Sequence, residues 1–322
     1  MSNKVLVTGA AGFIGFHLID YLNSMSGYEV VGIDNFNGTN GAELPLRRAK
    51  YLEKKWDTRI INLDLSESID KLPQNLIERT DVVVHLAAWP GVAGGQIMPI
   101  KYYKNNIMAF GNILDLVNII SPKKFFFASS SSVYGSSNIQ GGSKELSASG
   151  KNLKSFYAST KWANEIMAES FSQIHELSTI ALRFFTVFGS FGRPDMAYWK
   201  FTEKLIRGEQ IVFWGKNGGI RNFTHVSDTT KIIEKLIQTN LDGYNPLNIA
   251  AGEPVSTKEF CDSLARSLKI NKYSHIEVAR PSFDLESTWA NTELLNSKIG
   301  PVEAKSLDIG TKDFTDWYLE SK

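Results

Sequence analysis

The sequence predicts an α/β protein with a doubly wound parallel sheet, followed by a smaller α/β C-terminal lobe. Two observations support this prediction. Strand-like apolar runs alternate with stretches of helical spacing through the first half of the chain, and a glycine-rich turn follows the first run directly. The chain has 322 residues, which is longer than an average single domain, and 43% of them are apolar, which is enough for a substantial core. We therefore expect two lobes.

The first strand and turn predict a dinucleotide site. Val5 to Val7 form a buried strand, and Gly9, Gly12 and Gly15 follow it, with a helix beginning near Phe13. Glycines at this spacing let the backbone approach a pyrophosphate, whose charge is favoured at the helix N-terminus. The alternative is a glycine-rich turn without function.

The second strand favours NAD as the dinucleotide. It runs from Glu29 to Asp34, about twenty residues after the turn, where an acid contacts the ribose hydroxyls of NAD. A carboxylate there repels the 2'-phosphate of NADP. The turn and this acid together predict a Rossmann-type fold that binds NAD.

Further strand-like runs extend the sheet, and between them the stretch from Tyr102 to Ile120 has helical spacing. The runs are Arg59–Asn62, Asp81–Leu86, Lys124–Ser129 and Thr179–Phe184. After Phe185 the pattern loosens and glycines become frequent. We predict an NAD-binding domain over residues 1–185 and a substrate-binding lobe over 186–322, with some chain returning to the first domain around 223–250.

Composition argues against several function classes. The net charge is +1 and no basic stripe is present, so neither nucleic acid nor a membrane surface is an expected partner. No segment is long and apolar enough to span a bilayer. Cys261 is the only cysteine, which excludes an internal disulfide and suits a reducing cytoplasm. The five histidines show no ligand spacing, so no metal site is expected.

Tyr157 and Lys161 are the candidate catalytic pair. They lie four residues apart on a predicted helix from Phe156 to Gln173 and therefore share one face. The spacing is weak evidence, since Tyr51 and Lys55 also show it. Only Tyr157 and Lys161 follow a strand that ends in four serines, 129–132, at the ligand-binding edge of the sheet. The alternatives are an exposed helix face for the pair and a simple loop for the serines.

These residues suit hydride-transfer chemistry. A tyrosine of ordinary pKa, about 10, acts as a base near neutral pH only if nearby positive charge lowers that pKa by about three units. We expect Lys161 and the nicotinamide to share this task. Tyr157 then removes a hydroxyl proton while a serine shares the hydrogen bond.

From Lys4 to about Gly300 the chain resembles the extended short-chain dehydrogenase/reductase family, and within it the UDP-glucuronate 4-epimerases. The resemblance is carried by three strings: 34–37 (Asp-Asn-Phe-Asn), 128–135 (Ala-Ser-Ser-Ser-Ser-Val-Tyr-Gly) and 182–189 continuing through 192–196. It implies Ser130, Tyr157 and Lys161 as the catalytic residues. The implied cofactor-binding residues are Gly9, Gly12, Phe13, Ile14, Gly15, Asp34, Asn35, Asn37, Asp64, Leu65, Ala87, Ala88, Asn106, Tyr157 and Lys161.

The resemblance also implies the substrate contacts. Hydroxyls and a guanidinium suit a sugar carboxylate, and the residues implied around it are Ser131, Ser132, Thr186 and Arg193. Arg221, Arg280 and Asp284 are implied at the nucleotide diphosphate. The alternative for Arg193 is a structural ion pair with an acid such as Asp195, and for the other arginines ordinary surface charge.

The implied reaction is C4 epimerisation of a UDP-uronic acid through a transient 4-keto sugar, with NAD regenerated in each turnover. Related dehydratases and decarboxylases carry acids at the positions of Ser131 and Ser132, and without such a base elimination is not expected. Ala93 stands where an arginine is usual, which predicts a roomier pocket for an N-acetylated or otherwise modified uronate. Phe283 replaces a usual glycine, which weakens the prediction that the neighbouring residues contact the nucleotide.

Two other functions stay open at this point. One is a nucleotide-sugar C4 dehydrogenase with net NADH release, and the other is a non-catalytic protein that binds NAD or a sugar nucleotide. The resemblance further implies a homodimer through the helical segments 104–120 and 156–173.

Overall fold

The computed structural model describes residues 2–67, 69–70, 72–73, 79–92, 98–135, 142–282 and 284–321. Ala93 and Phe283, on which two of the expectations above depend, lie outside the described residues.

A parallel sheet of seven strands forms the centre of the described chain and confirms the predicted fold class. Its order is β11-β6-β5-β4-β1-β2-β3, and every neighbouring pair is parallel. Its strands are β1 (Asn3–Thr8), β2 (Tyr28–Asp34), β3 (Ile60–Asn62), β4 (Val82–His85), β5 (Lys124–Ser130), β6 (Ser178–Phe184) and β11 (Tyr244–Ile249).

Side-chain alternation along the strands builds two apolar layers. Val5 and Val7 of β1 join one core cluster, whereas Leu6 between them joins the other. Phe126 and its neighbour Phe127 on β5 divide in the same way. A strand whose successive side chains are apolar on both faces must be covered on both faces, which is why helices lie on each side of the sheet.

The helices of the described chain are α1 (Phe13–Asn23), α2 (Glu43–Trp56), α3 (Pro99–Tyr102), α4 (Ala109–Ile120), α5 (Phe156–His175), α6 (Ala197–Arg207), α7 (Val226–Gln238), α8 (Thr257–Ser267), α9 (Glu293–Ile299) and α10 (Leu307–Glu320). The predicted starts at Phe13 and Phe156 are confirmed. The expected continuous helix from Tyr102 to Ile120 is wrong in one respect, because a π-helix over Tyr103–Met108 separates α3 from α4.

The C-terminal half adds short strands around its own apolar cluster. They are β7 (Thr186–Phe188), β8 (Ile211–Trp214), β9 (Ile220–Arg221), β10 (Phe223–His225), β12 (Val255–Ser256), β13 (His275–Val278) and β14 (Ser287–Thr288). β11 pairs with β6 at the edge of the main sheet, and side chains of α7 share a core cluster with α1. We propose the division near residue 185 on this basis, with α7 and β11 returning to the first domain.

The sheet order determines where a ligand can bind. β1 lies between β2 and β4, so the connections that leave β1 and β4 diverge to opposite sides of the sheet. A crevice opens at the carboxyl ends of these strands in doubly wound folds. β5 ends beside this crevice and brings its terminal serines to it.

Candidate active site

A single cleft at the carboxyl ends of β1, β2, β4 and β5 collects most of the predicted site residues. Ser130, Tyr157, Lys161 and Arg193 line it. So does every predicted cofactor residue except Asn106, namely Gly9, Gly12, Phe13, Ile14, Gly15, Asp34, Asn35, Asn37, Asp64, Leu65, Ala87 and Ala88.

The glycine turn has no room for side chains. Gly9 has a φ of +67°, and an added Cβ would lie 2.7 Å from the Ala87 amide nitrogen. At Gly15 the added Cβ would lie 2.1 Å from the Gly9 carbonyl oxygen. Helix α1 begins after Gly12 with no side-chain cap on its first amides. A glycine cradle that leads into an uncapped helix N-terminus fits a dinucleotide pyrophosphate.

Two acids border this turn. The Asp34 carboxylate accepts hydrogen bonds from the amides of Ala11 at 3.0 Å and Phe36 at 2.7 Å. Burial raises the pKa of Asp34, and these bonds oppose that rise. Burial also acts to raise the pKa of Asp64. Hydrogen bonds from Ser66 and Asn35 outweigh this effect, so the pKa of Asp64 is lowered. An acid at the end of β2 is the expected partner of the adenosine ribose.

Ser130, Tyr157 and Lys161 come together at the end of β5. Ser130 is the last residue of that strand, and its hydroxyl lies 3.1 Å from the Ser132 hydroxyl. Tyr157 lies in the first turn of α5 and Lys161 one turn later. The Lys161 ammonium donates to the Ala128 carbonyl at 2.9 Å and lies 5.9 Å from the centre of the Tyr157 ring. Lys161 is 2% exposed.

The electrostatics of the pair differ from the expectation. Burial raises the pKa of Tyr157, and the groups that oppose this rise are the Ser130 hydroxyl and the Arg193 charge. Burial also lowers the pKa of Lys161, to about 7, so its ammonium is itself destabilised. The pKa of Tyr157 is therefore not lowered by the protein side chains alone, and Lys161 is not among the groups that oppose its rise, although the sequence predicted that Lys161 and the nicotinamide share this task. Positive charge from a bound ligand is needed in addition.

Asn106 does not reach the cleft. It is buried in the π-helix, where its amide accepts from the Trp89 amide at 2.7 Å and donates to the Trp89 carbonyl and the Thr160 hydroxyl. Its neighbour Asn105 lines the cleft instead. Asn106 thus fixes the backbone at Trp89, a cleft residue, against helix α5.

For Arg193 the sequence left two alternatives open, a place in the substrate site and a structural ion pair, and the structure shows that they are compatible. Its guanidinium is paired with Asp195 through Nε at 3.1 Å and Nη2 at 2.5 Å, and Asn40 donates to the same carboxylate at 3.1 Å. Arg193 also lines the cleft, and its charge acts on Tyr157. An ion pair and a place in the site are therefore compatible.

The other predicted substrate residues lie off the wall of this cleft. Ser131 and Ser132 begin a short 3₁₀ turn after Ser130, and Thr186 stands between the cleft residues Phe185 and Val187. Arg221, Arg280 and Asp284 form a separate group, in which Asp284 pairs with Arg221 at 3.1 Å and also with Arg280. These two arginines are part-buried and share one carboxylate, which differs from ordinary exposed surface charge.

Sequence reasoning missed several cleft residues, of which Arg48 on α2 is the most consequential. Its surroundings in sequence, Leu-Arg-Arg-Ala-Lys over 46–50, have the composition of a solvated helix face. Nothing in that pattern distinguishes the buried arginine from the exposed one beside it. Asn105 was missed because it belongs to no motif, whereas Met196 ends the string 192–196 but was not assigned a role in the site.

The described part of the chain holds neither a candidate metal site nor a candidate membrane span. Within it, no three His, Cys, Asp or Glu side chains come together as a metal site. Nor does any helix there combine the length and apolar character needed to cross a membrane.

Comparison with known proteins agrees with this geometry. A family profile described as the NAD dependent epimerase/dehydratase family matches residues 5–250. Protein CapI of Staphylococcus aureus is 34% identical over 337 residues, which cover 98% of each chain. UDP-glucuronate 4-epimerase 4 of Arabidopsis thaliana is 34% identical over 334 residues, which cover 98% of this chain and 75% of that protein.

A solved structure extends the comparison to three dimensions. UDP-glucuronic acid 4-epimerase from Bacillus cereus, in complex with UDP-glucuronic acid and NAD, superposes with a TM-score of 0.90 at 29% identity, over 99% of this chain and 100% of that one. The family profile spans well over half of the 322 residues. This chain is therefore a member of the NAD-dependent epimerase/dehydratase family.

Proposed function

We propose that this protein catalyses the NAD-dependent C4 epimerisation of a UDP-uronic acid, UDP-glucuronate to UDP-galacturonate or a modified relative. The observation that carries the proposal is the convergence of Ser130, Tyr157 and Lys161 with the glycine turn in one cleft. The named activities of the Arabidopsis and Bacillus relatives support the same assignment.

In the proposed reaction NAD, when bound, accepts hydride from C4 of the sugar and later returns it. Tyr157 takes the proton of the C4 hydroxyl and gives it back in the reverse step. Ser130 hydrogen-bonds the same oxygen, and in the free protein its hydroxyl opposes the rise in the pKa of Tyr157 that burial causes. The 4-keto sugar turns within the site between the two steps, so that reduction occurs on its opposite face.

The substrate preference is proposed from Arg193. Of the two arginines that line the cleft, Arg48 and Arg193, it is the one whose charge acts on Tyr157. A guanidinium can hold a planar carboxylate through parallel hydrogen bonds. A uronate carries such a group at C6, whereas a neutral hexose does not. We propose that Ser131, Ser132 and Thr186 complete the contacts to it, and that Arg221, Arg280 and Asp284 hold the nucleotide diphosphate.

The experiment is to incubate the purified protein with UDP-glucuronate and to follow the anomeric and C4 protons by NMR. We expect conversion to UDP-galacturonate until both epimers coexist, with no net NADH absorbance at 340 nm. UDP-glucose serves as the neutral comparison and should react far more slowly. Stoichiometric NADH release would identify a C4 dehydrogenase. Binding without turnover of UDP-glucuronate, UDP-galacturonate and their N-acetylated relatives would identify a non-catalytic protein.

We also propose that the protein is a homodimer in the cytoplasm. Large apolar side chains are exposed on the two helical segments that the resemblance assigns to an interface, including Met108 and Ile119 on one, and Phe156 and Ile166 on the other. Ile119 is 59% exposed and Ile166 is 54% exposed. Burying such side chains against a second copy removes apolar surface from water. The cytoplasmic assignment rests on the single cysteine, Cys261, which is buried as a free thiol.

Replacing Ile119 and Ile166 by aspartate is expected to convert the dimer to a monomer, because two charges per subunit cannot be buried unpaired in an apolar interface. Light scattering after size exclusion should then give 35.9 kDa per particle instead of twice that mass. Ile309→Asp is the matched control, since Ile309 is exposed on α10, outside the proposed interface. A wild-type chain that is already monomeric would refute the proposal.

A further inference from the structure

Arg48 is a buried cation with an unusual set of partners. It lies on helix α2 and is 3% exposed. Its Nη1 donates to the Ala11 carbonyl at 2.9 Å, and its Nη2 donates to the carbonyls of Phe191 at 2.6 Å and Gly192 at 3.1 Å. A fourth bond runs from Nε to the Phe191 carbonyl at 3.1 Å. The acceptors of all four bonds are backbone carbonyls.

These bonds leave the charge of Arg48 uncompensated. In the described chain no carboxylate lies within 4.0 Å of its guanidinium, whereas the buried Arg183 is paired with Glu165 at 2.7 Å. A buried cation ordinarily has a paired anion. Asp34 acts on it only at longer range, and burial lowers the pKa of Arg48 to about 10. Arg48 lines the cleft, where an anionic ligand can supply the missing charge.

The same guanidinium joins two functional turns. Ala11 belongs to the glycine turn, while Phe191 and Gly192 directly precede Arg193. Phe191 has a φ of +52°, a left-handed conformation that is costly for a residue with a side chain. Two bonds from Arg48 to the Phe191 carbonyl hold this conformation. The ring of Phe191 packs against Phe16 and Trp317, which fixes it from the other side.

We propose that Arg48 is a positioning residue that couples dinucleotide binding to the placement of Arg193. Its charge favours the anionic dinucleotide beside the glycine turn, and its fork of donors holds the turn that delivers Arg193 to the sugar. The role of Arg48 in placing Arg193 rests on the proposed function, because it takes Arg193 to contact the uronate. The role of Arg48 in dinucleotide binding depends only on its charge and its position in the cleft.

Two substitutions separate the charge from the fork. Arg48→Lys keeps the charge but lacks the planar set of donors that spans the three carbonyls, and Arg48→Gln loses the charge as well. We expect Arg48→Gln to weaken NADH binding at least about tenfold and Arg48→Lys to weaken it no more than about threefold. Both should weaken binding of UDP-glucuronate about tenfold. Fluorescence titration measures the first affinity and calorimetry on the NAD-loaded protein the second.

Two controls make the result specific. Lys50→Gln removes a charge from the exposed face of the same helix and should change neither affinity. In an Arg193→Gln background, adding Arg48→Lys should cause no further loss of UDP-glucuronate affinity, because the turn then has nothing to position. Circular dichroism and the melting temperature show whether each variant is folded. If Arg48→Gln is not folded, the UDP-glucuronate affinity of Arg48→Lys decides the proposal.

Three results would overturn the proposal. The first is NADH affinity that is the same in Arg48→Gln and Lys50→Gln, and the second is unchanged UDP-glucuronate affinity in Arg48→Lys. The third is an equal loss of that affinity with Arg193 present or replaced. Failure of the proposed function is a different observation, since wild-type protein would then bind NADH normally but would neither bind nor epimerise any UDP-uronate.

Discussion

Tyr157→Phe is expected to lower kcat for UDP-glucuronate by about 10²–10⁴-fold, the range that a positioned general base contributes. In the proposed reaction the phenol oxygen takes the C4 proton, and phenylalanine removes only that oxygen from a ring that lies beside Tyr102, with centres 6.2 Å apart. Packing of the first turn of α5 is therefore kept. Initial rates by NMR give kcat, and calorimetry gives the affinity for UDP-glucuronate, which should change little.

The matched control is Tyr51→Phe. Tyr51 and Lys55 repeat the spacing of Tyr157 and Lys161, and their polar atoms even lie 3.3 Å apart. This pair is on α2, where Tyr51 is 37% exposed and Lys55 is bonded to Asp20. Its loss should leave the rate unchanged. If Tyr157→Phe retained a rate close to that of Tyr51→Phe, Tyr157 could not be the base.

The contrast between these two pairs shows what the sequence could predict. The spacing makes candidates of both pairs. The position of Tyr157 after a strand that ends in serines singles out the pair Tyr157 and Lys161, which lies in the cleft. That inference works because parallel strands present their carboxyl ends at one edge, a rule of topology that needs no coordinates. The glycine turn was predictable for a similar reason, since Gly9 and Gly15 meet a local requirement of backbone geometry.

Asn106, which the resemblance implied as a cofactor-binding residue, shows one limit of prediction from sequence. The stretch from Tyr102 to Ile120 has helical spacing, yet residues 103–108 form a π-helix. A π-turn inserts a residue relative to α-helical spacing and rotates the side chains that follow. In this structure Asn105 lines the cleft and Asn106 lies behind it. Periodicity cannot show which of two adjacent asparagines faces a ligand when the period itself changes.

The charges show a second limit. The pKa of Tyr157 and the burial of Arg48 depend on what distant segments bring next to them, such as Arg193 or the carbonyls of Phe191 and Gly192. The contacts of Arg48 with Phe191 and Gly192 join residues more than a hundred positions apart in the chain. A residue type in a short motif predicts its own chemistry, but its solvation is decided by the complete fold.

A buried ion pair lies next to the proposed catalytic residues. Glu165, one turn beyond Lys161 on α5, accepts from Arg183 of β6 through Nε at 2.9 Å and Nη2 at 2.7 Å. It also accepts from the hydroxyl of Ser129, the neighbour of Ser130. The side chains of the pair are 4% and 3% exposed. Arg183 continues the network to the Tyr134 hydroxyl and the Glu145 carbonyl.

Arg183→Met is accordingly expected to lower the free energy of unfolding by about 3–5 kcal/mol, the cost of leaving one buried charge without its partner. Methionine fills a similar volume, so the loss reports the uncompensated carboxylate of Glu165 more than a cavity. Urea unfolding followed by circular dichroism measures it. Glu53→Gln is the control, because Glu53 pairs with Arg59 at the surface, where such pairs contribute little.

The double variant Arg183→Met with Glu165→Leu decides whether charge is the cause. Removing both charges also removes the desolvation penalty, so the double variant should recover most of the stability that Arg183→Met alone loses. We expect its epimerisation rate to stay below that of the wild type, since Ser129 then lacks its acceptor and α5 loses one of its ties to β5 next to Ser130. A double variant as unstable as the single one would mean that packing, and not the unpaired carboxylate, accounts for the loss.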